Sequence, residues 1–290
     1  MPEPGMPTLA FIPSPPSNGF SLGPLYFHAY GICYVVAVAA AIYIARRRWR
    51  ARGGDPDLAY GVAWWGFPAG LVGGRIYFDL TTPSQMPHQW YGPFAIWDGG
   101  LGIWGGVALG AVVGVWYLRR HLSAPDVNRF INALTPGLLV GQAIGRIGNY
   151  FNQELFGKPS TLPWALKIAP AHRPPGYAAY ATYQPTFLYE MIWNLLLAAT
   201  LVRLDNRRRI RPPALFPLYV AGYSAFRIFE ETLRIDYSQY ILGMRLNFWV
   251  ALVGTIGGLV WFALIQFRPS GGSAEPPDPA SLAYSRSEPA

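Results

Sequence analysis

The sequence predicts an all-α polytopic membrane protein of about seven transmembrane helices, with its N-terminus outside and its C-terminus cytoplasmic. Three observations carry that reading. Of the 290 residues, 52% are hydrophobic and 13% charged, against roughly 25% charged residues in a soluble domain. Seven stretches approach the about 20 mostly apolar residues that a crossing helix needs: roughly 25–45, 58–80, 99–118, 130–150, 185–202, 214–233 and 247–267. Basic clusters follow the first, third and fifth of these: "RRRWRAR" (46–52), "RRH" (119–121, with Arg129 nearby) and "RLDNRRRIR" (203–211), and Arg268 follows the seventh. The other loops are poorer in positive charge. The stretch 81–98 has no Lys or Arg, and 151–183 has only Lys158, Lys167 and Arg173. By the positive-inside rule the basic loops are cytoplasmic.

The ends differ from the middle. Residues 1–20 have no basic region ahead of their first apolar run, so the sequence predicts an extracytoplasmic segment rather than a cleaved signal peptide. Residues 21–268 form the predicted transmembrane domain. The Pro- and Ser-rich stretch 269–290 reads as a disordered cytoplasmic tail. The single cysteine, Cys33, excludes an intramolecular disulfide and a Cys-based metal cluster, and reads as a small packing residue. The net charge of +8 is spread over the loops, where it orients the chain rather than binding nucleic acid.

Taken in order, the spans bring polar groups to one surface. Span 1 runs inward from Tyr26, His28 and Tyr30, and span 2 runs outward to Arg75 and Asp79. Span 3 opens near Asp98 and Trp104, and span 4 ends in "AIGRIGNYFNQELFG" (143–157), with Arg146, Asn149, Asn152 and Glu154. Span 5 begins at Gln184, Tyr189 and Glu190. Span 6 finishes with Tyr223, Arg227, Glu231 and Arg234. The inner halves contribute few such groups, Asn132 being the clearest.

Interfacial anchoring accounts for Trp97, Tyr91 and Arg75. It accounts poorly for Arg227 and Glu231, which lie one turn apart on one helical face. Ionisable groups inside a span usually face a bundle interior or a wet cavity. Arg146 and Arg227, arriving on different helices, suit an anion that they can hold bidentately at any relevant pH. Glu154, Glu190 and Glu231 are placed to orient those arginines or to accept a proton. The simplest anion reachable from the outer leaflet is a phospholipid headgroup. No nucleotide-binding loop, His/Cys metal set or nucleophile elbow appears, so no cofactor and no metal are expected.

The segment "GRIGNYFNQELFG" (145–157) resembles the signature of bacterial prolipoprotein diacylglyceryl transferases. So do "FHAYG" (27–31), "GGRIYF" (73–78), "WDGGLGIWGG" (97–106), "PTFLYE" (185–190) and "GYSAFRIFEE" (222–231), in the same order. The resemblance covers about residues 20 to 267. It implies transfer of the diacylglyceryl group of phosphatidylglycerol to the lipobox cysteine of a prolipoprotein, at the bacterial plasma membrane. It further implies that Arg146 and Arg227 stabilise the leaving phosphate, and that Tyr30 and Glu231 are catalytic. Asn149, Asn152, Glu154, Gly157 and Tyr223 complete the headgroup site in this reading. Three positions depart from the pattern: Trp104 and Gln184 stand where histidines are usual, and Asn132 where an aspartate is usual. A branch of the family carries Trp at the first of these. Trp104 is expected to pack against a facing helix or the lipid donor. A non-catalytic lipid- or prolipoprotein-binding homologue is the alternative reading.

Overall fold

The computed structural model describes residues 11–86, 89–95, 99–207 and 210–268. Trp97, Asp98, the whole 269–290 tail reading and the first half of the N-terminal segment therefore lie outside the described residues. Within them the chain is mostly helical. The α-helices are α1 (Ala29–Arg50), α2 (Leu58–Thr81), α3 (Ile103–His121), α4 (Ala124–Asn152), α5 (Thr186–Asn206), α6 (Leu215–Leu233) and α7 (Leu246–Gln266). Three of them, α1, α5 and α7, are by length and composition alone apolar enough to cross a membrane. The other four dilute their apolar residues with glycine, proline and polar groups.

All-α needs one amendment. Three short antiparallel hairpins interrupt the helices: β1 (Gly19–Leu22) with β2 (Leu25–His28), β3 (Leu166–Lys167) with β4 (Thr182–Tyr183), and β5 (Tyr240–Ile241) with β6 (Met244–Arg245). They lie before α1, between α4 and α5, and between α6 and α7, where the chain turns without a helix to satisfy its backbone.

The helices pack as antiparallel neighbours. Along the α2/α3 seam, glycines face glycines: a Cβ on Gly110 would sit 3.1 Å from the Gly66 carbonyl oxygen, and one on Gly106 would sit 3.2 Å from that of Gly70. Only residues without side chains allow backbones this close. The α1/α4 pair follows the same logic, with Gly137 and Gly141 against Ala41 and Ala37. Opposite the hairpin ends, Arg48 and Arg52 both pair with Asp205, tying the C-terminal ends of α1 and α5 together. That end also carries Arg47, Arg50, Arg119, Arg120 and Arg203 in last helical turns, where positive charge suits the helix dipole.

A small cap sits where α4 ends and α5 begins. Phe156, Leu166, Ile168, Tyr183 and Phe187 form its buried core, with Ile12 paired alongside Leu166. The flanks of the bundle are apolar instead of polar: Trp64, Ile103, Val107, Val112, Val253 and Leu264 are all exposed. Exposed apolar area of this extent marks an interaction surface.

Arg75 departs from its expected role as an interfacial anchor. It is 5% exposed and pairs with Asp79 at 3.1 Å. Its guanidinium donates to the carbonyls of Pro93 (2.9 Å), Ala95 (3.3 Å), Gly99 (2.8 Å), Gly100 (3.3 Å) and Gly92. The described parts of the loop before α3 hold only two short 3-10 turns, so most of these carbonyls have no backbone donor. An arginine fork satisfies them more cheaply than water reaching a buried loop.

Candidate active site

Three helices and one hairpin build a continuous polar cluster. Arg146 comes from the last turns of α4, Glu190 from the second turn of α5, and Arg227, Glu230 and Glu231 from the last turns of α6. Arg245 enters from β6, at the residue before α7. Helices that alternate in direction bring exactly these termini to one end of the bundle.

Glu190 is the hub. Its side chain is 0% exposed, and it accepts from Arg146 Nη2 at 2.6 Å and from Arg227 Nη1 at 3.3 Å. Arg227 Nη1 also donates to Glu230 Oε2 at 2.6 Å, and its Nη2 donates to Glu231 Oε1. The second oxygen of Glu231 accepts from Arg245 Nε at 2.8 Å. On the other flank, Arg146 Nη1 donates to Asn149 Oδ1 at 3.3 Å, and its Nη2 reaches the Tyr223 hydroxyl at 3.5 Å. Asn149 and Asn152 each donate an amide to Glu154 Oε1, at 2.9 and 3.1 Å. So Arg146, Asn149, Asn152, Glu154, Tyr223, Arg227 and Glu231 fall into one network of hydrogen bonds.

The turn that follows α4 explains how Glu154 gets there. Gln153 and Leu155 both adopt positive φ, 51° and 54°, which reverses the chain and lets the Glu154 amide return to the Asn149 carbonyl at 3.1 Å. Gly157 is buried on the far side of this turn. A Cβ there would sit 2.9 Å from Gln184 Cβ and from Thr186 Cγ2, and 3.0 Å from the Leu233 carbonyl oxygen. Packing alone thus requires glycine at 157. Its backbone pairs with Gln184 and Arg234.

Tyr30 stands beside the network. Its ring lies over Gly148, where any Cβ would collide with it, and it is 39% exposed. Among the described residues its hydroxyl makes no hydrogen bond to the cluster. Gln184 accepts from the Tyr189 hydroxyl at 2.8 Å, and Trp164 Nε1 donates to that hydroxyl at 2.9 Å. Asn132 lies at the opposite end, where its Oδ1 accepts from the Leu215 amide at 3.2 Å and caps the start of α6. Trp104 does not pack against a facing helix: it is 57% exposed at the first turn of α3.

Sequence reasoning missed Glu230 and Arg245. Glu230 is 1% exposed and Arg245 5%. Arg245 also donates to Asp236 Oδ2 at 3.0 Å and to the Asp236 carbonyl at 2.7 Å, while Arg234 Nε donates to Asp236 Oδ1 at 2.7 Å. Burial alone would raise the Asp236 pKa. The hydrogen bond from Arg234 and the charges of Arg234 and Arg245 overcome that and hold it below the usual carboxylate range. A depressed carboxylate stabilises the fold above its unfolded pKa and loses that contribution only in acid, so this clasp is closed at neutral pH.

Chemically, the cluster is a set of guanidiniums held in place by buried carboxylates. The Arg146 and Arg227 side chains keep 20% and 15% of their surface open. Such a site presents donors that need little reorganisation to meet an anion. The fold and site together define a helical protein with apolar flanks and an arginine-rich cluster at one end.

The chain belongs to the prolipoprotein diacylglyceryl transferase family, whose profile matches residues 18–264. It is 45% identical over 278 residues to the phosphatidylglycerol–prolipoprotein diacylglyceryl transferase of Frankia alni, covering 94% of this chain and 72% of that one. It is 43% identical over 266 residues to enzyme 2 of that name from Streptomyces coelicolor, covering 91% and 83%. With the transferase of Cutibacterium acnes it shares 42% identity over 272 residues, covering 93% and 91%.

Proposed function

We propose that this protein transfers the diacylglyceryl group of phosphatidylglycerol to the lipobox cysteine thiol of a prolipoprotein, releasing glycerol phosphate. The observation that supports it most directly is the joining of Arg146 and Arg227 through Glu190. The thiol sulfur forms a bond to the terminal carbon of the diacylglyceryl group as the carbon–oxygen bond to phosphate breaks. The bonding pair leaves on the phosphate oxygen, and the thiol proton passes to water. Negative charge grows on the phosphate, and Arg146 and Arg227 are the donors aimed at it. Asn149, Asn152, Glu154, Gly157 and Tyr223 complete the headgroup site. Both oxygens of Glu231 are taken by guanidiniums, so its contribution to catalysis is to hold Arg227. Tyr30, open at the edge of the network, is assigned in this reading to the reaction of the thiol.

All seven helices cross the bacterial plasma membrane in this reading, with residues 21–268 forming the transferase domain and the cluster facing outward. The exposed apolar flanks of α2 and α3 support spans there despite their glycines. A cysteine placed at 203–211 is expected to resist an impermeant thiol reagent in intact cells. Labelling at those positions would overturn the orientation and the outer-leaflet site.

The direct test incubates the purified protein with phosphatidylglycerol and a lipobox peptide and seeks the thioether-linked product by mass spectrometry. Absence of product beside an active relative would favour a non-catalytic binding protein. The rate is expected to climb with pH toward the thiol pKa of about 8.5. Trp104→His tests the departure from the histidine pattern. Because Trp104 is exposed, the change is expected to leave a folded protein and not to raise turnover. A clear gain would show that this chain lacks a base which histidine restores.

A further inference from the structure

Arg245 touches no position where substrate is expected, yet it is bonded to the anion cluster. Its Nε donates to Glu231 Oε2, the same carboxylate whose other oxygen accepts from Arg227. Its remaining donors go to Asp236 Oδ2 and to the carbonyls of Asp236 and Arg234, at 3.0, 2.7 and 3.5 Å.

The charge count around Arg227 gives these bonds a consequence. Arg146 and Arg227 face Glu190, Glu230 and Glu231, two guanidiniums against three carboxyl groups. Arg245 makes the count three against three, and the adjacent Arg234–Asp236 pair is neutral by itself. Glu154, one step further out, is held by asparagine amides rather than by a guanidinium and adds a further negative charge. Without Arg245, a monoanionic phosphate would approach two buried arginines that serve three carboxyl groups with no further cation, and like charges at a site of low dielectric repel strongly.

We propose that Arg245 is a positioning residue for the anion site: it takes up charge from Glu231, so that Arg227 keeps enough positive field to bind the lipid phosphate. This rests on the transferase reading above. Phosphate affinity thereby depends on the β5–β6 hairpin, an element outside the helices that carry the arginines.

The test measures binding of phosphatidylglycerol, against phosphatidylcholine, to the full-length protein in detergent micelles, from the lipid-dependent rise in unfolding temperature; transfer is assayed in parallel. Arg245→Gln is expected to weaken phosphatidylglycerol binding at least about tenfold. Arg245→Lys keeps the charge but loses the fork, and is expected to stay within about threefold of the parent. Asp236→Asn weakens the loop clasp while leaving the Glu231 pair, and is likewise expected to stay within about threefold. If Arg245 only closed the loop, Asp236→Asn and Arg245→Lys would lose as much as Arg245→Gln, and the proposal would be wrong. Undiminished binding by Arg245→Gln would also overturn it. Should Arg245→Gln not fold, the other two variants still decide. A parent protein that binds the lipid but transfers nothing would sink the transferase reading alone, and one that does not distinguish the two lipids would sink both.

Discussion

Arg227→Ala is expected to lower diacylglyceryl transfer at least about a hundredfold, since losing one preorganised donor to a developing oxyanion costs about 2.7–4 kcal/mol. The same change should lower the unfolding temperature. Arg227 is the partner of Glu190, Glu230 and Glu231 at once, and their side chains are 0%, 2% and 0% exposed. Removing the cation leaves buried carboxylates uncompensated, and breaking a buried pair by deleting one partner costs about 3–5 kcal/mol. Arg146→Ala provides the contrast. Arg146 has one ion pair, to Glu190, and a larger open face, so its loss should reduce transfer comparably with a smaller drop in stability. Arg227→Lys restores charge without the fork that serves three carboxylates, and is expected to recover stability before activity. Near-normal turnover in Arg227→Ala would remove this residue from the chemistry and leave it a structural cation.

Glu190→Gln should be almost as damaging, although the substitution is nearly isosteric. Among the described residues Glu190 alone contacts both Arg146 and Arg227, one with each oxygen. A glutamine offers one carbonyl oxygen and one NH2 group. Whichever way the amide is turned, its NH2 faces a guanidinium donor, and one arginine is left unpaired and free to move. Misplacement by about 1 Å can cost on the order of a hundredfold, so a loss of that order is expected in kcat, with phosphatidylglycerol binding affected less. If Glu190→Gln instead leaves kcat intact and only weakens lipid binding, the carboxylate tunes charge and does not align the arginines. Measuring kcat and KM separately decides between these.

The sequence alone determined the number, order and approximate extent of the helices. A long apolar run is a local property, read without knowing its neighbours. The fifth stretch, roughly 185–202, corresponds to Thr186–Asn206, and the sixth, roughly 214–233, to Leu215–Leu233. The fourth helix begins at Ala124, earlier than its apolar run, because its first turns carry Asp126, Asn128 and Arg129, which hydropathy cannot count as span. Arg146, Arg227 and Glu231 were legible for the same local reason: a charge within an apolar run is anomalous wherever the run goes.

Only the tertiary structure decided which charges meet. Arg75, Arg234 and Arg245 look alike in sequence, each an arginine at the edge of an apolar segment. One buries itself among loop carbonyls, one closes a clasp with Asp236, and one joins the anion cluster through Glu231. Glu230 and Glu231 lie three and four residues after Arg227, within its reach on a helix, but spacing cannot say that Glu190 of α5 and Arg245 of β6 join them. Burial and ion pairing depend on the helices that become neighbours, here α4, α5 and α6 with the β5–β6 hairpin beside them. That adjacency is set by glycine seams and helix crossings far apart in the chain, so it first exists when the bundle has formed.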